Sequence, residues 1–157
     1  MTAQAPCGIC AGIERIKSRD ADNFIAELAN SYVVLGDAQY YRGYCVMLAK
    51  RHATEIFLMP PAQARALFEE LRLVAEAIAA VTKPWKMNYE CLGNAEPHVH
   101  WHLFPRYESD DLRRAPVWIR PEAERMTALG EAERTALIAA LREQISARIP
   151  DARVAAN

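Results

Sequence analysis

The chain of 157 residues has no surplus of charge: 19 Lys and Arg stand against 20 Asp and Glu, a net charge of −1. A protein that coats a polyanion carries a strong positive excess, so no nucleic-acid partner is expected. There is also no long apolar run. The longest stretch without a charged residue is residues 1–13, which contains Pro6, Gly8 and Gly12. It is too short to span a bilayer and lacks the basic start of an export signal, so no membrane partner is expected and a soluble, cytoplasmic protein is. No internal repeat or low-complexity segment is visible. An apolar fraction of 52% with 25% charged residues excludes disorder for most of the chain. The length suits a single domain over residues 1–157 that buries its own core without staples.

Cysteine is scarce as well. Cys7, Cys10, Cys45 and Cys91 are the full set, and a cytosolic chain of this size does not need disulfides. Cys45 and Cys91 lie in apolar runs and read as buried packing residues. Cys7 and Cys10 form a C-x-x-C pair, a spacing used for metal ligation or redox chemistry. The redox reading needs a following helix in a βαβ context. Residues 7–12 read instead as a tight turn, so metal is the better reading, provided two more ligands exist.

The periodicities suggest an α+β chain. Phe24–Leu28 and Tyr32–Leu35 are short apolar and β-branched runs around the turn formers Asn30 and Ser31, and Tyr44–Ala49 follows Gly43. Their connections are too short for parallel crossovers, so an antiparallel meander is expected. Pro60-Pro61 opens a helix whose apolar residues recur at Ala64, Leu67, Phe68, Leu71, Val74, Ala75, Ile78 and Val81, and Thr82-Lys83-Pro84 ends it. Trp85–Leu92 and His98–Phe104 read as strands, the second stopped by Pro105. Residues 106–121 read as irregular, Glu131–Arg148 as a helix with a Leu137, Ile138, Leu141 and Ile145 stripe, and Asp151–Asn157 as a mobile tail. Helices laid on an antiparallel sheet are the expected architecture.

The informative feature is histidine. The chain has four, and three are His98, His100 and His102, in Pro97-His98-Val99-His100-Trp101-His102-Leu103-Phe104-Pro105-Arg106. On a strand, alternate residues share a face, so three imidazoles project one way while Val99, Trp101 and Leu103 enter the core. Such a row suits metal binding, acid–base catalysis near neutral pH, or nucleophilic attack on phosphorus. For the last, a neutral imidazole needs no strong base to activate it. An iron-dependent oxidoreductase is disfavoured, because no carboxylate lies in register with the row.

The row resembles the signature of the histidine triad (HIT) superfamily, His-φ-His-φ-His-φ-φ followed by Pro-Arg, with φ apolar. Gly93, Asn88, Asp37, Gly43 and Arg51-His52 fall where members of that family carry related residues, so the similarity spans about residues 7–107. The resemblance implies a five-stranded antiparallel sheet with two main helices in one HIT domain. Residues 108–157 would be a C-terminal loop and helix extension, read as solvated although Trp118 and its arginines could reach the site. It implies a hydrolase or nucleotidyl transferase acting at the α-phosphorus of dinucleoside polyphosphates or nucleoside phosphoramidates. His100 would be the nucleophile, supported by His98 and His102. Asp37, Asn88, Gly93 and Asn94 would contact the purine nucleotide, and the protein would be a homodimer.

The same resemblance implies a structural zinc held by Cys7, Cys10, His52 and His98, a set that suits tetrahedral Zn²⁺; no organic cofactor is implied. The chain departs from the family at two leaving-group positions. Asn94 replaces the usual Gln, and Ala95 replaces a Ser or Thr whose hydroxyl can reach the scissile bond. Glu96 brings a carboxylate beside a phosphate site, which is unfavourable unless it points away. The competing reading is a purine-nucleotide-binding or sensor protein with a structural zinc and no turnover.

Overall fold

A computed structural model describes residues 7–154. Its elements are α1 (Gly8–Lys17), β1 (Phe24–Glu27), β2 (Ser31–Leu35), β3 (Cys45–Ala49), α2 (Pro61–Thr82), β4 (Lys86–Glu90), β5 (His100–Arg106), α3 (Glu122–Arg125), α4 (Glu131–Arg148) and β6 (Arg153–Val154). Single 3₁₀ turns lie at Ile56–Leu58 and Val117–Ile119. The expected α+β class holds. The open antiparallel sheet has six strands and not five, in the order β4-β5-β3-β2-β1-β6.

The sheet has two differently covered faces. One carries Val33, Met47, Trp101 and Leu103, against which α2 lays Leu67, Leu71, Val74 and Ile78 and α4 lays Leu137, Leu141 and Ile145. A fully buried side chain of this size contributes about 1.5–3 kcal/mol, so this layer carries most of the stability. The buried Glu70 of α2 fixes the β1–β2 turn: its carboxylate accepts from the Asn30 backbone and side-chain N–H groups, at 2.8 and 2.9 Å, and from the Ser31 hydroxyl at 2.5 Å. On the other face, Ile13 of α1 packs on Tyr32, Val34 and Leu48, while Val117 joins Tyr41, Tyr44 and Phe104.

Several expectations are corrected. Residues 7–12 do not form a tight turn, because Cys7 caps a ten-residue helix, its Sγ accepting the Cys10 backbone N–H at 3.4 Å. Pro105 does not stop the histidine strand. It lies within β5, paired with Met87, and the β3 side of β5 has no partner beyond Leu103, so the missing N–H costs nothing. Cys91, past the end of β4, is exposed, whereas Cys45 is buried as expected. The tail is partly ordered, since Arg153 and Val154 pair with Glu27 and Ala26; residues 155–157 lie outside the described residues. No helix among the described residues is long and apolar enough to cross a membrane.

Candidate active site

Two groups of imidazoles meet where β5 begins. His98 lies just before the strand, buried, and its ring takes part in a cluster with Cys7, Cys10 and His52. The ligand atoms of these four lie within 4.8 Å of one another. Individual separations are 3.5 Å from each sulfur to His98 Nδ1, 3.4 Å from Cys10 Sγ to His52 Nδ1, and 3.2 Å between the two Nδ1 atoms. Zinc bonds of about 2.0–2.3 Å directed to tetrahedral corners place such atoms about 3.3–3.8 Å apart. His98 Nε2–H donates to the Ala49 carbonyl at 2.8 Å, which leaves the Nδ1 lone pair for the cluster. Burial, with His52 and His100 nearby, holds His98 below the ordinary imidazole range, so it is neutral as a ligand must be. Two thiols and two lone-pair imidazoles at these spacings fit zinc.

His100 is tied the opposite way. Its Nδ1 lies 2.6 Å from the His98 carbonyl, which can only accept, so Nδ1 carries the proton and Nε2 keeps its lone pair. His102 Nε2 is 3.1 Å from His100 Nε2, and His102 Nδ1 is 2.6 Å from the Tyr44 hydroxyl. Two lone pairs cannot face each other at 3.1 Å, so His102 Nε2 holds a proton and the Tyr44 O–H donates to Nδ1. Burial pushes His102 down to about 4, assisted by His100 and Arg125, and burial pushes the Tyr44 phenol well above its usual range. Both are neutral at pH 7. Gly36 makes room for this arrangement: a Cβ there would lie 2.1 Å from the Tyr44 ring.

A cavity of about 540 Å³ opens beside His102 and is lined by Asp37, Val34, Val46, Tyr44, Trp118 and Arg125, among others. Of the residues expected to contact nucleotide, Asp37 reaches it. Asn88 shares the face of the triad, opposite Phe104, but its Oδ1 accepts from Arg106 Nη1 at 2.8 Å and it does not line the cavity. Gly93, at φ +71, and the exposed Asn94 lie in the β4–β5 loop and do not line it either. Glu96 points away from the triad: its carboxylate accepts the Gly8 N–H at the start of α1, at 2.9 Å.

Sequence reasoning missed three groups. Tyr44 is one. Glu90, which pairs with His102 across β4 and β5 and accepts from the Trp118 indole N–H, is the second. The third is the segment after β5, which is packed against the site and not a solvated loop. It is pinned by Arg106, one residue past the Pro of the signature. The buried guanidinium donates to Asp110 Oδ2 from both Nε and Nη2, to the Ala115 and Leu112 carbonyls, and to Asn88. Burial alone would raise the Asp110 carboxyl, but Arg106, the Leu112 N–H and Arg120 outweigh it and hold the group ionised. So anchored, Trp118 rests edge-on against His102 and Phe104, with centroids 5.4 and 5.7 Å apart. Alternation on the strands could have placed Glu90 beside His102; nothing local marks the other two.

Comparison with known proteins agrees with this geometry. The HIT domain family model matches residues 17–109, more than half of the chain. A histidine triad protein from Sinorhizobium meliloti superposes with a TM-score of 0.67 at 25% identity, covering 83% of this chain and 93% of that one. One from Bradyrhizobium japonicum gives 0.64 at 28% identity, covering 83% and 94%. A zinc-bound histidine triad family protein from Mycobacterium smegmatis gives 0.65 at 25% identity, covering 90% and 96%. No protein of curated function matches the chain. With the signature, the fold and the model match in agreement, the chain belongs to the histidine triad family.

Proposed function

We propose that the protein is a nucleotide hydrolase or nucleotidyl transferase that acts at the α-phosphorus of dinucleoside polyphosphates or nucleoside phosphoramidates. The observation that carries this reading is the tautomer of His100: its Nδ1–H is committed to the His98 carbonyl, and its Nε2 lone pair faces His102, which lines the cavity. In the first step Nε2 bonds to phosphorus as the bond to the leaving group breaks, giving a nucleotidyl-histidine. In the second, water displaces the histidine. Splitting the displacement in two lowers each barrier. His102, held neutral with its Nε2 proton directed at the reacting centre by Tyr44, supplies a hydrogen bond there. Asp37 at the end of β2 offers a carboxylate to ribose hydroxyls, and the apolar surface of Val34, Val46 and Leu48 faces a base. Gly93 and Asn94 would approach the phosphate only after a rearrangement of the β4–β5 loop, and Asn88, fixed in β4 by Arg106, would act through Arg106.

Zinc held by Cys7, Cys10, His52 and His98 would fix α1 to the start of β5 and take no part in the chemistry, because four protein ligands leave no open position. The reading extends to a soluble, cytoplasmic, homodimeric protein of one domain over 1–157, with 108–157 as its extension. The second reading, a nucleotide-binding or sensor protein without turnover, is favoured by Ala95, which has no hydroxyl for the leaving group. Brief incubation with diadenosine tetraphosphate or an adenosine phosphoramidate, gentle quenching and mass spectrometry decides between them. An adenylyl group on His100 with AMP released is the expected result. AMP binding with neither adduct nor product overturns the enzyme reading.

A further inference from the structure

The cavity has two chemically different ends. Toward α1 it is lined by the apolar Ile9, Ile16, Val34 and Leu48, and also by Arg15, Asp20 and Asp22. The opposite end is built by the segment after β5, with Trp118, Arg125 and Met126. The Arg125 guanidinium stacks on the Trp118 ring, 4.7 Å from its centroid, and its Nε–H donates to the Arg120 carbonyl at 3.0 Å. The side chain is therefore half-buried and held from two directions. Its neighbours Arg106 and Arg120 are paired with carboxylates. Among the described residues Arg125 has no carboxylate within ion-pair distance, and its Nη donors have no protein acceptor. The nearby carboxylate Glu90 is taken up by the Trp118 indole N–H. A fixed guanidinium with free donors, one aromatic ring beyond His102, is a receptor for an anion.

We infer that Arg125 is a specificity residue that receives the phosphate of the leaving group, so that the protein favours nucleotide anhydrides over phosphoramidates with uncharged amine leaving groups. The inference rests on the reading of His100 as the nucleophile. A nucleoside at the α1 end, over Val34 and Leu48, with its α-phosphorus at His100, directs the rest of the substrate past His102 toward Trp118 and Arg125. When the Nε2–P bond forms and the P–O bond of an anhydride breaks, the electron pair stays on the departing phosphate oxygen, which needs no proton. Charge-assisted hydrogen bonds from Arg125 offset that developing charge. When a P–N bond breaks, the pair goes to nitrogen, which must take up a proton. A guanidinium cannot give one up at neutral pH and Ala95 has none to give, so that proton has to come from His102 Nε2. Arg125 thus assists one leaving group and not the other.

The test compares kcat/KM for diadenosine tetraphosphate and for adenosine 5′-phosphoramidate in the full-length wild type, Arg125→Gln and Arg125→Lys, with His100→Ala as the blank. In Arg125→Gln the ratio of anhydride to phosphoramidate turnover should fall about 10- to 100-fold, and Arg125→Lys should recover part of it. The phosphoramidate rate reports on folding within the same sample. An unchanged ratio, whether both rates fall together or neither falls, overturns the inference while leaving the enzyme reading intact. A wild type that converts neither substrate and forms no adduct overturns the enzyme reading, and the inference with it.

Discussion

His98 and His100 are two residues apart and identical in covalent structure, yet they are prepared for opposite tasks. The Ala49 carbonyl claims Nε2–H of His98 and leaves Nδ1 for the cysteines; the His98 carbonyl claims Nδ1–H of His100 and leaves Nε2 facing His102. One backbone acceptor at each ring decides which nitrogen is a base. The lesson is that the role of an imidazole in this strand is set by the carbonyl behind it.

The sharpest way to separate the two rings is to remove them in turn. His100→Ala should lower turnover on the order of a thousandfold or more, by analogy with other covalent catalysts, with little change in Tm; steady-state rates and calorimetry check both. On the metal side the effect should be the reverse. Chelation, or Cys10→Ser, should lower the unfolding free energy by about 4 kcal/mol relative to protein in zinc at a thousand times its Kd, read as a Tm shift together with metal content. At moderate temperature the metal-depleted protein should keep most of its turnover.

The pH dependence sharpens the contrast within the triad. The folded-state value for His102 is about 4, against an ordinary value of about 6.5. Between the two, the unfolded chain binds the proton that the folded chain refuses, so stability rises with pH. The contribution is fully present above about pH 6.5 and is lost as pH falls toward 4, at a slope of at most about 1.4 kcal/mol per unit. Denaturant midpoints from pH 7 to 4 should show this slope, reduced in His102→Gln. The smallest expected effect is that of Tyr44→Phe. It removes one hydrogen bond to neutral His102, worth about 1 kcal/mol, and should lower turnover severalfold. Nitrogen chemical shifts should show His102 no longer held in a single tautomer.

Much of this was legible in the residues, and the reasons differ from element to element. The α2 boundaries were readable because an early Pro, a Lys83-Pro84 stop and a 3.6-residue apolar stripe all agree, while α4 was readable from its Leu137, Ile138, Leu141 and Ile145 stripe. The burial of Val99, Trp101 and Leu103 followed from strand alternation. Helix α1 was hidden by Gly8 and Gly12, since its stability comes from the Cys7 cap and from Ile13 docking on β2 and β3, neither of which is a local signal. β6 is two residues long and exists because β1 offers a free edge. The placement of Asn88 depended on Arg106, whose demand for acceptors cannot be read from a strand pattern.

That demand has a practical consequence. Arg106 has five N–H bonds to give and five recorded contacts that accept them. All but the one to Asn88 go to a stretch of six residues, from Asp110 to Ala115. The segment that carries Trp118 and Arg125 is therefore fastened to the histidine strand at its near end by Arg106, and farther along by Val117 in the Tyr41, Tyr44 and Phe104 cluster, by the Trp118 indole on Glu90 and by Arg120 on Asp110. A change within residues 116–126 is therefore transmitted to the histidine strand, and side chains brought to the mouth of the cavity have to keep Val117 buried and Arg120 paired.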